Sequence, residues 1–417
     1  MQGLTRKKIR AKSRLLIILN RFVIGGQAAD TIPLASFLNN DFDILILYGE
    51  KEKDEIEPSF LLQMYPAVQL KKISYLKRSV APFIDVLAFF HILAVVVKYK
   101  PDIVHTHGSK PGFLGRLAAY ICRVPVIIHT FHGHFFHSYF SKPISLFIAF
   151  MERVIGKITT RAIALSASQK DELVGQYKVL PASKIAVIPL GFAFDTETNS
   201  SLARENFRKK YDLQPNDIAI GIVGRIVPVK NHSFFVKVVQ SVLSESLTNP
   251  PAFFIIGDGD LRIHIEDEFN KKSISFSNKA ITPYTRVIFT SWLTNIGEVM
   301  NGLDIIMLTS LNEGTPLSII EAQFFKKPVI STNVGGVKDS MKNGETGFLV
   351  EKNDVTTFSE KLFLLINNEG LRNKMGKAGN EFASVTFSKQ KEVEATKELY
   401  FSLLKEKGYF FNRRNPT

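Results

Sequence analysis

The chain has 417 residues, past the size at which a single hydrophobic core stops growing, so two domains of roughly 200 residues each are expected. Hydrophobic residues make up 45% and charged residues 22%, which excludes a globally disordered chain. The net charge of +14 is uneven: residues 1–190 hold 25 Lys/Arg against 13 Asp/Glu, and residues 191–417 hold 28 against 26. A strongly basic first half points to an anionic partner, whether membrane surface, phosphorylated acceptor or nucleic acid. Cys122 is the single cysteine, so no internal disulfide exists, which fits a reducing compartment. In AAYICRVP it reads as a small core residue.

Residues 1–14 are basic, but the apolar run after them, Leu15 to Leu19, is too short for a secretory signal. It has the length of a buried strand. The most apolar stretch, Phe83 to Val97, is shorter than the ~20 residues a membrane span needs and reads as a core helix. In the first half, strands are expected at Leu15–Leu19, Ile44–Leu47, Ile103–His105, Val126–His129, Ala162–Leu165 and Ala186–Pro189. Helices are expected at Ala28–Phe37, Phe83–Val97, Gly112–Ile121, Ile144–Ile155 and Ser168–Val174. The segment Pro189–Asn216, polar and poor in apolar residues, reads as a junction. The alternation then restarts, with strands at Ile218–Val223, Ala252–Ile256, Val287–Phe289, Ile305–Leu308, Pro328–Ser331 and Gly347–Val350. Its helices fall near His232–Leu243, Thr315–Phe325 and Asp354–Ile366, followed by a terminal helix at Lys389–Lys405 and a disordered tail, Asn412–Thr417. Strands separated by helices imply two doubly wound parallel sheets in series.

Ligands of such sheets bind beyond the carboxyl ends of the strands, and with two such domains the natural site is the cleft between them. After Ile305–Leu308 comes SLNEGTPLSIIEA, in which Thr315 reads as an N-cap and Pro316 as the first helical residue. The start of that helix, Gly314 to Ser318, suits a phosphate. Glu313 and Glu321 are eight residues apart, roughly 12 Å along a helix. After Ile218–Val223 comes GRIVPVKN: Gly224 permits close backbone approach, and Arg225 and Lys230 put two cations at a strand end. Gly25-Gly26 follows the first strand, without the GxGxxG of a dinucleotide fingerprint. Six of nine histidines fall between His105 and His137, including His105 and His107 in VHTHGSKPG and His129, His132 and His134 in HTFHGHFFH. Neutral imidazole both donates and accepts, so hydrogen bonding to a polyol is preferred here over metal ligation. Asp258 and Asp260 in IIGDGDLR form a D-x-D, explained by turn chemistry rather than by a metal.

Together these segments resemble a family 4 retaining glycosyltransferase of GT-B fold, two Rossmann-like domains facing each other across a cleft. EGTPLSIIE is similar to the family's E-x7-E motif, and VGRIVPVKN to its Arg/Lys diphosphate motif. IIGDGDLR, DIIMLTS and NVGGVKDSMKNGETGFLV are similar to further family segments. The resemblance implies an acceptor-side domain over residues 1–190 and a donor-binding domain over 191–388. Residues 389–417 would pack back toward the first. It implies catalytic roles for His132, Arg225, Lys230 and Glu313: Glu313 and His132 at the donor sugar, Arg225 and Lys230 at the diphosphate. Glu321 would take the ribose. Gly25, Gly26, Gly224, Gly314, Thr315, Pro316, Leu317 and Ser318 would line the donor, with Trp292 and Leu293 near the base. Gln27, His105, His107, Lys110 and His134 are candidates on the acceptor side; Gln27 departs from the residues common at its position.

Similarity of HTHGSKPGFLGRLAA and HTFHGHFFHSYFSK to capsule, exopolysaccharide and O-antigen members implies a UDP-sugar donor and a lipid-diphosphate-linked saccharide acceptor. No metal or other cofactor is expected. The expected location is the inner face of the cytoplasmic membrane, attached peripherally through the basic first domain and the aromatics Phe135, Phe136, Tyr139 and Phe140. No nucleic-acid partner is expected, because the basic residues are dispersed. Two rival readings are a sugar-nucleotide epimerase on the same fold, whose proton-shuttling carboxylates cannot be assigned, and a basic nucleic-acid-binding protein.

Overall fold

The structure, a computed structural model, describes residues 12–23, 25–52, 55–77, 79, 81–132, 142–192, 200–245 and 249–409. His134, the aromatics at 135–140 and the tail lie outside the described residues. The chain divides into two compact units, one comprising residues 1–132, 142–192 and 389–417, the other 133–141 and 193–388.

In the first unit the elements run β1 (Ser13–Arg21), α1 (Gly26–Leu38), β2 (Phe42–Gly49), α2 (Ser59–Met64), β3 (Gln69–Lys72), α3 (Pro82–Tyr99), β4 (Ile103–His107), α4 (Ser109–Ile121), β5 (Val126–Phe131), α5 (Lys142–Gly156), β6 (Arg161–Ala164), α6 (Ala167–Asp171) and β7 (Ile185–Val187). The second unit holds α7 (Ser200–Lys210), β8 (Ala219–Val223), α8 (His232–Leu243), β9 (Ala252–Ile256), α9 (Arg262–Lys271), β10 (Phe276–Ser277), β11 (Val287–Ser291), α10 (Ile296–Gly302), β12 (Ile305–Leu308), α11 (Leu317–Phe324), β13 (Val329–Thr332), α12 (Val337–Ser340), β14 (Gly347–Val350), α13 (Val355–Asn367) and α14 (Glu369–Thr386). The terminal helix α15 (Lys389–Glu406) belongs to the first unit.

Each unit is built on a seven-stranded parallel sheet, ordered β3-β2-β1-β4-β5-β6-β7 in the first and β10-β11-β9-β8-β12-β13-β14 in the second. Strand β1, SRLLIILNR, carries an unbroken apolar run at Leu15–Leu19 because helices cover both of its faces. Its alternation serves two cores. Leu15, Ile17 and Leu19 pack with Tyr400, Leu403 and Leu404 of α15, while Leu16 and Ile18 pack with Ala88, Ile92 and Val96 of α3 and Ala118 of α4. In the second unit, Ile220 and Ile222 of β8 lie in one core with Phe234, Phe235 and Val239 of α8 and Phe358 and Leu362 of α13.

Several expectations need correction. Pro189–Asn216 is not a bare junction, because it holds α7, whose Phe207 packs so closely on Gly302 that a Cβ there would lie 2.2 Å from its ring. The edge strands β3 and β10 were not expected; they are short or polar, and carry no apolar run to read. Cys122 is half-buried at the end of α4, packed against the rim of the core rather than inside it. Helix α3 is not a core helix all round. Ala88, Ile92, Val95 and Val96 are buried, but Phe83, Val86, Leu87, Phe90 and Val97 are exposed. It is the one helix among the described residues long and apolar enough to cross a membrane by length and composition, and it lies against the sheet by its buried side.

Candidate active site

In each sheet the chain first travels to one side and then crosses to the other. The crossing falls between β1 and β4 in the first unit and between β8 and β12 in the second. Loops diverge at such switch points and leave a crevice beyond the strands' carboxyl ends. The segments singled out in the sequence leave the strands at these two places.

In the second unit, the loop after β8 carries Gly224, Arg225 and Lys230, and the loop after β12 carries Glu313 to Pro316. Lys230 Nζ donates to Glu313 Oε1 at 2.6 Å, and Ser310 Oγ donates to the same oxygen at 2.5 Å. The loops are also joined through backbone: Thr309 Oγ1 donates to the Lys230 carbonyl at 2.9 Å, and the Leu311 N–H to the Val229 carbonyl at 2.8 Å. The ion pair is mostly withdrawn from solvent, with side-chain exposures of 20% and 12%, so water screens it less than a surface pair. The backbone of Glu313 is braced by Gly335 and Gly336, whose small size lets the loops touch. The Gly336 N–H donates to the Glu313 carbonyl at 3.0 Å, and a Cβ on Gly335, at φ +51°, would lie 2.1 Å from that oxygen. These two glycines were quoted in the sequence only as part of a matching segment; their bracing role needed the fold.

Helix α11 begins at Leu317 with Pro316 as its N-cap and no side-chain cap. Thr315 therefore does not cap, and Pro316 is not its first helical residue, since the carbonyl of Pro316 already accepts from Ile319 at 3.1 Å. Glu313 precedes the helix by four residues, so the eight-residue offset to Glu321 is not a straight helical rise. Thr315, Leu317 and Ser318 lie at the helix start with Gly314 just before them. Glu321 is not a solvated helix position. It is buried, and burial pushes its carboxyl up to about 7, against a smaller opposing pull from Lys230.

Next to this site, Trp292 and Leu293 are half-buried in the loop after β11. Gly257, at φ +134°, lets the loop after β9 lie on Gly224, whose carbonyl would be 2.1 Å from a Cβ there. Asp258 is engaged by Arg262 at 2.9 Å and by the Gly259 N–H at 2.9 Å. Burial would raise its carboxyl, but these bonds together with Ser291 and Arg262 hold it below the usual range. Asp260 is exposed. Sequence reading missed His232, the first residue of α8. It is buried with neither ring nitrogen partnered among the described residues, and burial, then the Lys230 charge, push its pKa down to about 4.

In the first unit, β4 and β5 sort the histidines by strand parity. His105 and His107 share one face of β4 with ring centroids 4.2 Å apart. His105 Nδ1 lies 2.6 Å from the Tyr400 hydroxyl of α15, and its Nε2 lies 2.7 Å from Thr130 Oγ1. His107 Nδ1 meets His132 Nε2 at 2.6 Å, so one ring donates and the other accepts. His129 points to the other face, against Gly112 of α4, and bonds Thr106 Oγ1 at 2.9 Å. Burial lowers all four pKa values, His105 to about 3, so these rings are neutral at pH 7. Gly25 precedes α1 with open space where a Cβ would stand, and Gln27 lies beside Gly108 at the end of β4. Lys110 is held by Asp85 at 2.5 Å, which ties it to α3.

Residues 203–382 match the family described as Glycosyl transferases group 1, and residues 32–195 match Glycosyltransferase Family 4. The chain is 31% identical over 375 residues to the UDP-Gal:alpha-D-GlcNAc-diphosphoundecaprenol alpha-1,3-galactosyltransferase of Escherichia coli, over 88% of this chain and 91% of that one. It is 29% identical over 334 residues to the capsular polysaccharide biosynthesis glycosyltransferase CapM of Staphylococcus aureus, over 79% and 84%. Among solved structures, Anabaena Alr3699/HepE in complex with UDP and glucose matches with a TM-score of 0.76 over 93% of this chain and 100% of that one. Its 17% identity makes that a likeness of fold. The two parallel seven-stranded sheets define a glycosyltransferase of GT-B type. The chain belongs to family 4 of the glycosyltransferases.

Proposed function

We propose that the enzyme transfers a sugar, with retention of its anomeric configuration, from a UDP-sugar to a lipid-diphosphate-linked saccharide during surface-polysaccharide synthesis. The observation that carries this reading is the Lys230–Glu313 pair at the switch point of the second sheet, beside Gly224, Arg225 and the start of α11. The E. coli relative's name gives a UDP-galactose donor and a diphosphoundecaprenol-linked acceptor. On this reading Lys230, Arg225 and the N–H groups at the start of α11 take the diphosphate, Glu313 orients the sugar and buried Glu321 accepts from the ribose. The bond from the anomeric carbon to the diphosphate oxygen breaks as the acceptor hydroxyl attacks on the same side. The departing phosphate oxygen takes the acceptor's proton, and the fixed cations stabilise the developing charge. Asp258 is committed to Arg262, and no metal is assigned to the reaction. An acceptor carried on a lipid places the enzyme peripherally at the inner face of the cytoplasmic membrane.

The test is a panel of UDP- and GDP-sugars with a polyprenyl-diphosphate-linked saccharide, measuring nucleotide release and product configuration. An α-linked product from an α-linked UDP-sugar is expected. A β-linked product would overturn retention, and release only from GDP-sugars would overturn the donor.

A further inference from the structure

We propose that the outer faces of α3, α4 and α5 form one surface that docks on an anionic lipid bilayer. On an ordinary surface helix the solvent side is polar. Here it is apolar on α3 and α5, and at the C-terminal end of α4. The exposed side of α3 carries Phe83, Val86, Leu87, Phe90 and Val97 at helical spacing, with Phe83 91% and Phe90 58% exposed. On helix α5 Leu146, Phe147 and Phe150 are 66%, 62% and 55% exposed, while the buried side holds Ser145 and Glu152 together with Ala149 and Ile155. Between them α4, which packs on both, presents Tyr120 and Ile121. Exposed apolar side chains in this number on adjoining helices mark an interaction surface.

Charge selects the occupant. The two carboxylates on these three helices are used internally: Asp85 pairs with Lys110 at 2.5 Å, and Glu152 with buried Arg116 at 2.7 Å. The exposed charges at the far ends of the helices are all cations, namely Lys98 and Lys100 on and after α3, Arg123 after α4, and Arg153 and Lys157 on and after α5. An apolar face with a basic rim matches the acyl–headgroup boundary of an anionic leaflet. A second copy placed face to face would bring like-charged rims together. In a parallel α/β sheet the helices start where the strands end. The apolar stripe therefore begins beside the end of β4, where His107 and Gly108 stand. The idea rests on the lipid-linked acceptor reading only for its purpose; the surface itself stands on burial and charge.

The experiment uses the full chain with vesicles of phosphatidylcholine alone or mixed equally with phosphatidylglycerol. Its variants are F83S/F90S, F147S/F150S and K98Q/K157Q, none of which removes a buried side chain. We expect wild type to sediment with the anionic vesicles at low salt and much less with neutral ones or at high salt. Each serine pair should weaken binding at least about tenfold, and the glutamine pair should lower its salt dependence. Transfer to a water-soluble acceptor should be unchanged in all three. Absence of wild-type binding to anionic vesicles, or wild-type binding by both serine variants, would overturn the proposal. So would a wild-type dimer that the serine variants dissociate while vesicle binding is unaffected. Vesicle binding without any sugar transfer would sink the acceptor reading and leave the docking surface standing.

Discussion

Lys230 Nζ lies 2.6 Å from Glu313 Oε1, tying the loop after β8 to the loop after β12. Each charge is the other's main neutraliser in a site mostly closed to water. Lys230→Ala and Glu313→Gln should each lower kcat by about 10²–10³-fold, and the double variant should fall well short of the product of the two losses, because the residues share one interaction. Arg225→Ala should lower turnover by a comparable factor. Melting temperatures should move little, since each change alters a half-buried charged side chain and removes no core residue. Near-normal turnover in either Lys230 or Arg225 variant would remove that residue from the diphosphate site.

Glu321 gives a pH signature. Its folded pKa of about 7 lies above the ordinary 4.5, so the folded state holds more protons than the unfolded state between these values. Unfolding free energy should therefore fall as pH rises from about 4.5 to 7 and level off above, by about 3 kcal/mol for this group alone. Glu321→Gln should be more stable than wild type at pH 8 and equal to it near pH 4, while losing affinity for UDP. Urea melts of both proteins across this range would show it. An equal difference at both ends would mean Glu321 is ionised throughout.

The buried histidines work in the opposite direction. His105, His107, His129 and His132 have folded pKa values below 6.5, so their contribution is fully present above pH 6.5 and is lost as pH falls. Tyr400→Phe should lower stability at pH 7 and make the loss on acidification shallower, because stripping the neutral form of His105 of its 2.6 Å hydroxyl partner lets the folded pKa rise back toward 6.5. Denaturant midpoints from pH 7 to pH 5 would check this, with Glu321→Gln as background to remove the opposing slope. A flat profile in that background would show that the rings keep their solution pKa values.

Lys389 is buried between Asp30, 3.0 Å away, and Glu392, 2.5 Å away, and Glu392 also accepts from the Gly191 N–H at 3.0 Å. Lys389→Met should cost about 3–5 kcal/mol, because two carboxylates would be left buried with no cation. Urea denaturation at pH 7 measures it. A loss under about 1 kcal/mol would mean water reaches the cluster.

Turnover should survive EDTA. The donor's charge is assigned to Lys230, Arg225 and the start of α11, and Asp258 is held by Arg262 at 2.9 Å. Complete loss with EDTA, restored by Mn²⁺ or Mg²⁺, would overturn the metal-independent route.

Much of the second unit's candidate site was legible in the chain itself. GRIVPVKN stands directly after one apolar strand and EGTPLSIIE four residues beyond another, and parallel sheets place such segments at one end. What the sequence could not state is decided by distant contacts. The pairing of Lys230 with Glu313, 83 positions apart along the chain, depends on β8 lying beside β12. Thr315 looked like a cap by local chemistry, but the loop is held by Gly335 and Gly336, and the helix starts later. Glu321 reads as any helical glutamate until the sheet buries it. The histidines form one cluster along the chain but two faces in space, because strand parity separates His129 from His105 and His107. The apolar pattern of α3 likewise reads as core, since composition records only that its side chains avoid water. Which of them turn inward is set by the side of the helix that meets the sheet, and here Phe83 and Phe90 are left outside.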